Sequence, residues 1–246
     1  MPISFLPDLP MNIIAIALGV VFFAAIVQST TGMGFGQVAA PLLLLIHPDF
    51  VPVPILFMGM SVAALNSVGR RKDIVWKELG VAVSARLIGA VLAGFIMTIM
   101  VGTREFSLLF AALILLAVGL SLGKYKFRPT AKTLIIAGGA SGFMGTITSV
   151  GAPPMGIAYQ HNPAPETRAT LNAFFAMGAF ASLVVLGGFN LLHWYQLGLA
   201  FILAPALIMG TWVSKYLTSF VDKRFRTFIL LICVCSACAV IWDALT

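Results

Sequence analysis

The chain alternates long apolar runs with short polar connections. The runs cover residues 12–47, 53–69, 78–101, 104–123, 132–160, 166–188, 194–217 and 225–245. Each is long enough for a helix that crosses a hydrocarbon core of about 30 Å. Two of them are too long and are interrupted. Residues 12–47 as one straight helix would measure about 54 Å, and Gly32-Met33-Gly34-Phe35-Gly36 lies within it. In residues 132–160, Gly142, Gly145 and Gly151 surround Thr146-Ile147-Thr148-Ser149, and Pro153-Pro154 follow. Glycine permits sharp changes of backbone direction, and proline removes a backbone donor. Both runs are therefore predicted to break. Lipid cannot satisfy the freed backbone groups, so the breaks face protein or a water-filled cavity.

The interrupted runs stand at corresponding places in two halves. Leu87-Ile88-Gly89 is echoed by Ile208-Met209-Gly210, 121 residues later, and Arg104-Glu105-Phe106 by Arg224-Phe225-Arg226 at nearly the same offset. Weak similarity at half-length marks a duplicated transporter fold. Charge then orients the halves. If each interrupted run crossed once, one side would carry eight basic loop residues and the other six. If each turns back at its break, thirteen share one side, Arg104 stands alone on the other, and Arg86 lies inside the membrane. Basic loops are retained on the cytoplasmic side, so the second arrangement is expected. It makes an all-α polytopic membrane protein of two inverted repeats, each a Gly-broken helical hairpin plus three transmembrane helices. Repeat 1 spans 12–123 and repeat 2 spans 132–245, within one membrane domain covering 1–246. Both termini are expected outside, with Lys126 and Arg224 cytoplasmic, in a bacterial-type inner membrane.

Composition agrees. The hydrophobic fraction is 60% and the charged fraction 9%, against about 45–50% and 25% in soluble domains. The net charge of +7 comes from basic clusters at the ends of apolar runs, a membrane pattern and not a nucleic-acid face. Met1–Pro10 has no Lys or Arg, so no cleaved signal peptide is expected. Cys233, Cys235 and Cys238 share the last run, and His47, His161 and His193 sit near loops. Neither set has metal-ligand spacing, and no metal or cofactor is expected.

In inverted repeats, substrate binds near the midplane where broken helices end. The helix after each break presents free N–H groups and a positive dipole end, which favours an anion. Candidate substrate contacts are Thr31, Gly32, Gly34, Phe35, Gly36 and Gln37 at the first break. At the second they are Thr148, Ser149, Gly151 and Pro153. Gly34, Gly36 and Gly151 are expected to bring backbone N–H groups to the ligand; the alternative is that they only permit close helix packing. Gly94, in a spanning helix, is expected to tolerate alanine. Arg86 lies about 13 Å into its run, where an ionisable residue points to function; it could otherwise snorkel or pair with carbonyls. Arg168 is a ligand contact or an interfacial anchor. The expected partners are a small anion, a coupling proton or sodium ion, and the lipid bilayer.

Two rival readings come from other classes. Gly139-Ala140-Ser141-Gly142 matches an intramembrane serine protease pattern, with His193 as its base. An anion channel is the other, but no charged ring or carbonyl filter is visible.

The broken segments resemble those of the TauE/SafE (toluene-sulfonate uptake permease) family. In that family a Gly-rich segment ending in proline recurs in each half. Here the copies read Gly32-Met-Gly-Phe-Gly-Gln-Val-Ala-Ala-Pro41 and Gly151-Ala-Pro-Pro-Met-Gly-Ile-Ala-Tyr159. Arg168-Ala-Thr-Leu171 is similar to the family's arginine at the next helix start. Ala152 replaces a family glycine, and Phe35-Gly36-Gln37 departs from the commoner triple glycine. The resemblance covers the whole chain and implies transport of sulfite, sulfonates or related organic anions, with no enzymatic activity.

Overall fold

A computed structural model describes residues 9–123, 127–217 and 223–245. Lys124, Lys126 and residues 1–8 lie outside these, as do the side chains of Lys223, Arg224 and Arg226. The described residues form ten α-helices, in the order α1 (Met11–Thr31), α2 (Phe35–Ile46), α3 (Val53–Val68), α4 (Trp76–Met100), α5 (Arg104–Leu122), α6 (Ala131–Thr148), α7 (Ala152–Tyr159), α8 (Ala164–Gly188), α9 (Trp194–Val213) and α10 (Lys223–Leu245). Among the described residues, six helical segments are long and apolar enough to cross a membrane: Met11–Thr31, Pro48–Val68, Trp76–Met100, Arg104–Leu122, Ala164–Gly188 and Trp194–Tyr216. Large apolar side chains such as Ile88, Phe180 and Met209 face outward, which lipid accepts and water would penalise.

Both interrupted runs break where expected. α1 ends because Gly32 turns left-handed (φ +89°) and Gly34 does so again (φ +103°) before α2 begins. α6 ends at Ser149, a non-glycine residue at φ +62° whose N–H reaches back to the Gly145 carbonyl. The prolines after it occupy the first turn of α7, where no intrahelical donor is needed. α2 and α7 have 12 and 8 residues, so they reach only about 18 and 12 Å.

Each interrupted run returns to the end of the bundle it came from. α4 and α6 advance together, Ala82 against Gly138 and Arg86 against Gly142, so they are parallel. The Tyr159 hydroxyl, at the end of α7, donates to Glu78 near the start of α4 at 2.7 Å. The second run therefore leaves where α6 began. α8 runs with α4, since Val75 meets Thr170 and Gly94 meets Val185. α9 turns back from α8, and α1 packs alongside it with Phe22 at Gly210, while Asn66 near the far end of α3 donates to Ser29 near the end of α1 at 3.0 Å. After α2, Asp49 accepts from Tyr195 at the start of α9 (3.4 Å), so the first run too leaves where it entered.

The helix partners form matched pairs. α4 packs on α6 as α9 packs on α1; α4 on α8 as α9 on α3; α5 on α7 as α10 on α2; and α3 meets α8 while α5 meets α10. Exchanging the first five helices for the last five leaves this set unchanged. The Leu87–Gly89 and Ile208–Gly210 echo acquires a physical basis here. Gly89 seats the Gly139 carbonyl of α6, and Gly210 seats the Phe22 carbonyl of α1. A Cβ at either position would occupy the space of a backbone carbonyl.

Gly94 departs from expectation. A Cβ there would lie 2.7 Å from the side chains of Val185 in α8 and of Phe189 just after it, so alanine is not expected to be neutral. Gly80 and Gly119 have open space instead. In thermal unfolding of purified protein, Gly94→Ala is expected to lower the melting temperature, with the overpacking cost of about 1–3 kcal/mol. Gly80→Ala and Gly119→Ala should hold or raise it, since alanine favours helix. Equal behaviour of all three would contradict the packing.

Candidate functional site

At the first break the chain is held by a residue the sequence reading missed. Gln28 sits one turn before the end of α1, 2% exposed. Its amide donates to the Gly32 carbonyl (3.1 Å) and to Asn172 Oδ1 of α8 (3.0 Å), and its Oε1 accepts from the Phe35 N–H (3.1 Å). Asn172 in turn donates to the Arg168 carbonyl at 2.8 Å. These amides bridge the gap between α1 and α2 and fasten it to α8. The Thr31 hydroxyl lies within donating distance of the Val27 and Met33 carbonyls and bonds one of them at a time. The available signal was an amide inside an apolar run, shortly before a glycine cluster.

At the second break, Thr148 donates to the Met144 carbonyl and accepts from the Val150 N–H, while the Ser149 hydroxyl donates to the Pro52 carbonyl at 3.1 Å. The two breaks touch. The Ser149 carbonyl lies against Gly36 so closely that a Cβ there would fall on it. Gly151 is equally confined, by the Ser141 carbonyl at 2.6 Å and Gly145 at 3.2 Å from where its Cβ would stand. Glycine at 36 and 151 is thus demanded by contact between backbones, where the sequence reading invoked approach by a ligand. A Cβ on Gly32 would stand 2.8 Å from the Arg168 Cα.

Arg86 lies beside this junction. It is 2% exposed and is positioned from three sides. Its backbone fits against Gly142, its side chain passes over Gly178, and its guanidinium rests on Phe174 and Phe175, 4.9 and 5.6 Å from the ring centroids. Nη1 donates to the Ser141 hydroxyl at 2.8 Å. Nε is buried without a partner, and a side chain at Gly145 would stand 3.4 Å from Nη2. Among the described residues, no carboxylate pairs with Arg86 and the one ion pair is His47 with Asp49. A buried charge costs several kcal/mol unless it is paired. Two phenyl faces and one hydroxyl offset only part of that cost.

Two cavities meet here. A vestibule of about 470 Å³ opens between the end of α5, the loop from α7 to α8 and the start of α10. Thr31, Gly34, Gln37, Pro153 and Arg168 line it, as does Thr167, whose buried hydroxyl has no partner. Deeper lies a chamber of about 40 Å³ bounded by Phe35, Gly36, Arg86, Ser149 and Gly151. That is space for a few waters or one small anionic head group. Gly34, Gln37 and Ala152 border both cavities. Of the predicted contacts, only Gly32 and Thr148 line neither.

The breaks offer the anion similar donors in different surroundings. At α2 the Phe35 N–H is taken by Gln28, while those of Gly36 and Gln37 have no acceptor among the described residues. At α7, Pro153 and Pro154 have no N–H to give, which leaves those of Gly151 and Ala152, likewise without an acceptor among the described residues. Both breaks therefore present backbone donors, and Arg86 lies alongside the second.

The protease reading does not survive this geometry. The Ser141 hydroxyl donates to the Gly151 carbonyl at 2.6 Å and accepts from Arg86. His193 belongs to the opposite mouth, stacked on Tyr195 with its N–H on Gln196.

The sequence profile described as "Sulfite exporter TauE/SafE" matches residues 17–240, both breaks and all the cavity-lining helices included. The chain belongs to the TauE/SafE family. No curated protein and no solved structure matches it. Family membership and the six apolar spans make it a multi-pass membrane anion transporter, not an enzyme. Within the family frame, the Gly-rich copies at 32–41 and 151–159 are the two breaks, and the arginine at the following helix start is the vestibule residue Arg168.

Proposed function

We propose that the protein carries a small anion, sulfite, a sulfonate or a related organic acid, across the inner membrane by alternating access. The anion rests in the inner chamber, between Arg86 and the N–H groups of Gly36 and Gln37. The observation that carries this reading is Arg86: a buried cation without a carboxylate, in a chamber that also receives an N-terminal helix end. Thr31, Gln37, Pro153, Thr167 and Arg168 form the way in. A proton or sodium gradient is the expected drive.

The inverted repeat is part of the proposal. Matched helix pairs, the opposite directions of α1 and α6, and two runs that each return to their own end all favour it. The vestibule then opens to the cytoplasm, where the basic loops lie. Cysteine placed at Arg128 should resist an impermeant maleimide applied outside the cell, and cysteine at His193 should react. The opposite pattern would reverse the assigned direction.

The function itself is tested by uptake into proteoliposomes of sulfite, organosulfonates, carboxylates and neutral controls, with proton and sodium gradients imposed in turn. Saturable uptake confined to anions supports the reading. Equal movement of neutral solutes of similar size would sink it.

A further inference from the structure

Ser141, like Ser149 at the same break, does not bond back into its own helix. Ser61, Ser84, Thr98, Thr148, Ser182 and Thr211 each donate back to the carbonyl four residues earlier in their own helix. Ser141 does not. It donates forward, at 2.6 Å, to the carbonyl of Gly151, ten residues on and across the second break. It simultaneously accepts from Arg86 Nη1 at 2.8 Å. The residue is fully buried, with 0% exposure. One hydroxyl thus joins the buried cation of α4 to the residue from which α7 begins.

We propose that Ser141 is a positioning residue that couples the charge state of the anion chamber to the second break; this rests on the reading of Arg86 as the anion's partner. The hydroxyl sets the plane of the guanidinium, with Nη2 beside Gly145, which lines the chamber together with Arg86. It is also polarised by the cation it faces, which strengthens its bond to Gly151. An anion at Nη2 draws the guanidinium and weakens that polarisation. The grip on Gly151 relaxes, and α7, only eight residues long, is released to move. Empty and occupied chambers then differ in how firmly the second half-helix is held. A transporter that must change conformation only when loaded requires that difference.

A double-mutant cycle on full-length purified protein tests this, with sulfite as the probe. Affinity is measured by calorimetry and turnover in proteoliposomes for wild type, Ser141→Ala, Arg86→Ala and the double variant; melting temperature is recorded for each. Ser141→Ala is expected to weaken sulfite binding about tenfold and to change the ratio of loaded to empty turnover. It should cost nothing more once Arg86 is alanine. Ser141→Cys has nearly the same volume and a poor donor, and should reproduce the affinity loss should the alanine variant not fold. Normal sulfite affinity in Arg86→Ala overturns the anion-partner reading itself. If Arg86→Ala loses binding while both Ser141 variants retain affinity and turnover, the Ser141 proposal alone falls. Lowered melting temperature with unchanged affinity would make Ser141 a packing residue and also overturn it.

Discussion

Arg86→Ala protein binds sulfite roughly 30-fold to a few thousand-fold more weakly than wild type and transports it at background rate, while Arg86→Lys retains a measurable fraction of both. The expectation follows from how the guanidinium is held. Its Nη1 is committed to Ser141, its flat face lies on Phe174 and Phe175, and Nη2 lies beside Gly145 in the chamber wall. Losing one member of a desolvated charge pair costs about 2–5 kcal/mol, and about 1.4 kcal/mol is tenfold in affinity. Lysine restores the charge as a single point without the planar fork. It cannot bond Ser141 and face the chamber in the same geometry, so partial recovery is expected. Alanine also removes a buried cation with one orphaned nitrogen, so its melting temperature should hold or rise as binding is lost. Folded Arg86→Ala with full affinity and transport would leave Arg86 a structural role only.

Gly36→Ala loses stability before it loses anything else. Alanine in a helix interior ordinarily stabilises relative to glycine by about 1 kcal/mol. At position 36 the sign should reverse, because the added methyl meets the Ser149 carbonyl of the opposing break. Overpacking costs about 1–3 kcal/mol and more where backbone must move, which lowers the melting temperature by roughly 5 °C or more for a chain of this size. Gly36→Val should not assemble stably. Sulfite affinity in whatever Gly36→Ala protein folds is the discriminating measurement. A collapse of affinity at unchanged melting temperature would show that the glycine serves the ligand and not the junction.

The helices, both breaks and their pairing across the halves were legible because each leaves a one-dimensional trace. Apolar runs have lengths, glycine and proline interrupt them, and basic residues mark one side. Arg86 and Gln37 could be singled out for the same reason, as polar groups where lipid would penalise them. The purpose of the glycines could not be read this way. Whether Gly36 spares room for a ligand or for Ser149 depends on which chain segment lies opposite, and that segment is more than a hundred residues away. The chain Gln28–Asn172–Arg168 was hidden likewise. Ser141 was noticed for a motif it does not serve, and its partner Arg86 lies 55 residues earlier. The two prolines at 153 and 154 were readable as positions without an N–H, which confines the donors of the second break to Gly151 and Ala152.

The glycine seams carry a consequence for how such a chain could arise and be divided. α6 is locked by carbonyl-to-glycine contacts to α4, and α1 to α9. Each five-helix half therefore gives its first helix to the other half's framework. Neither half holds a complete core alone. Two copies of a half-length ancestor would reach the same arrangement by swapping their first helices about a twofold axis, and fusing them through residues 123–130 would change no seam. The present chain, severed in that connection and expressed as two fragments in one cell, is expected to reassemble through the α4–α6 and α1–α9 seams into a working carrier. Either fragment produced by itself would present an unfilled glycine groove to the bilayer.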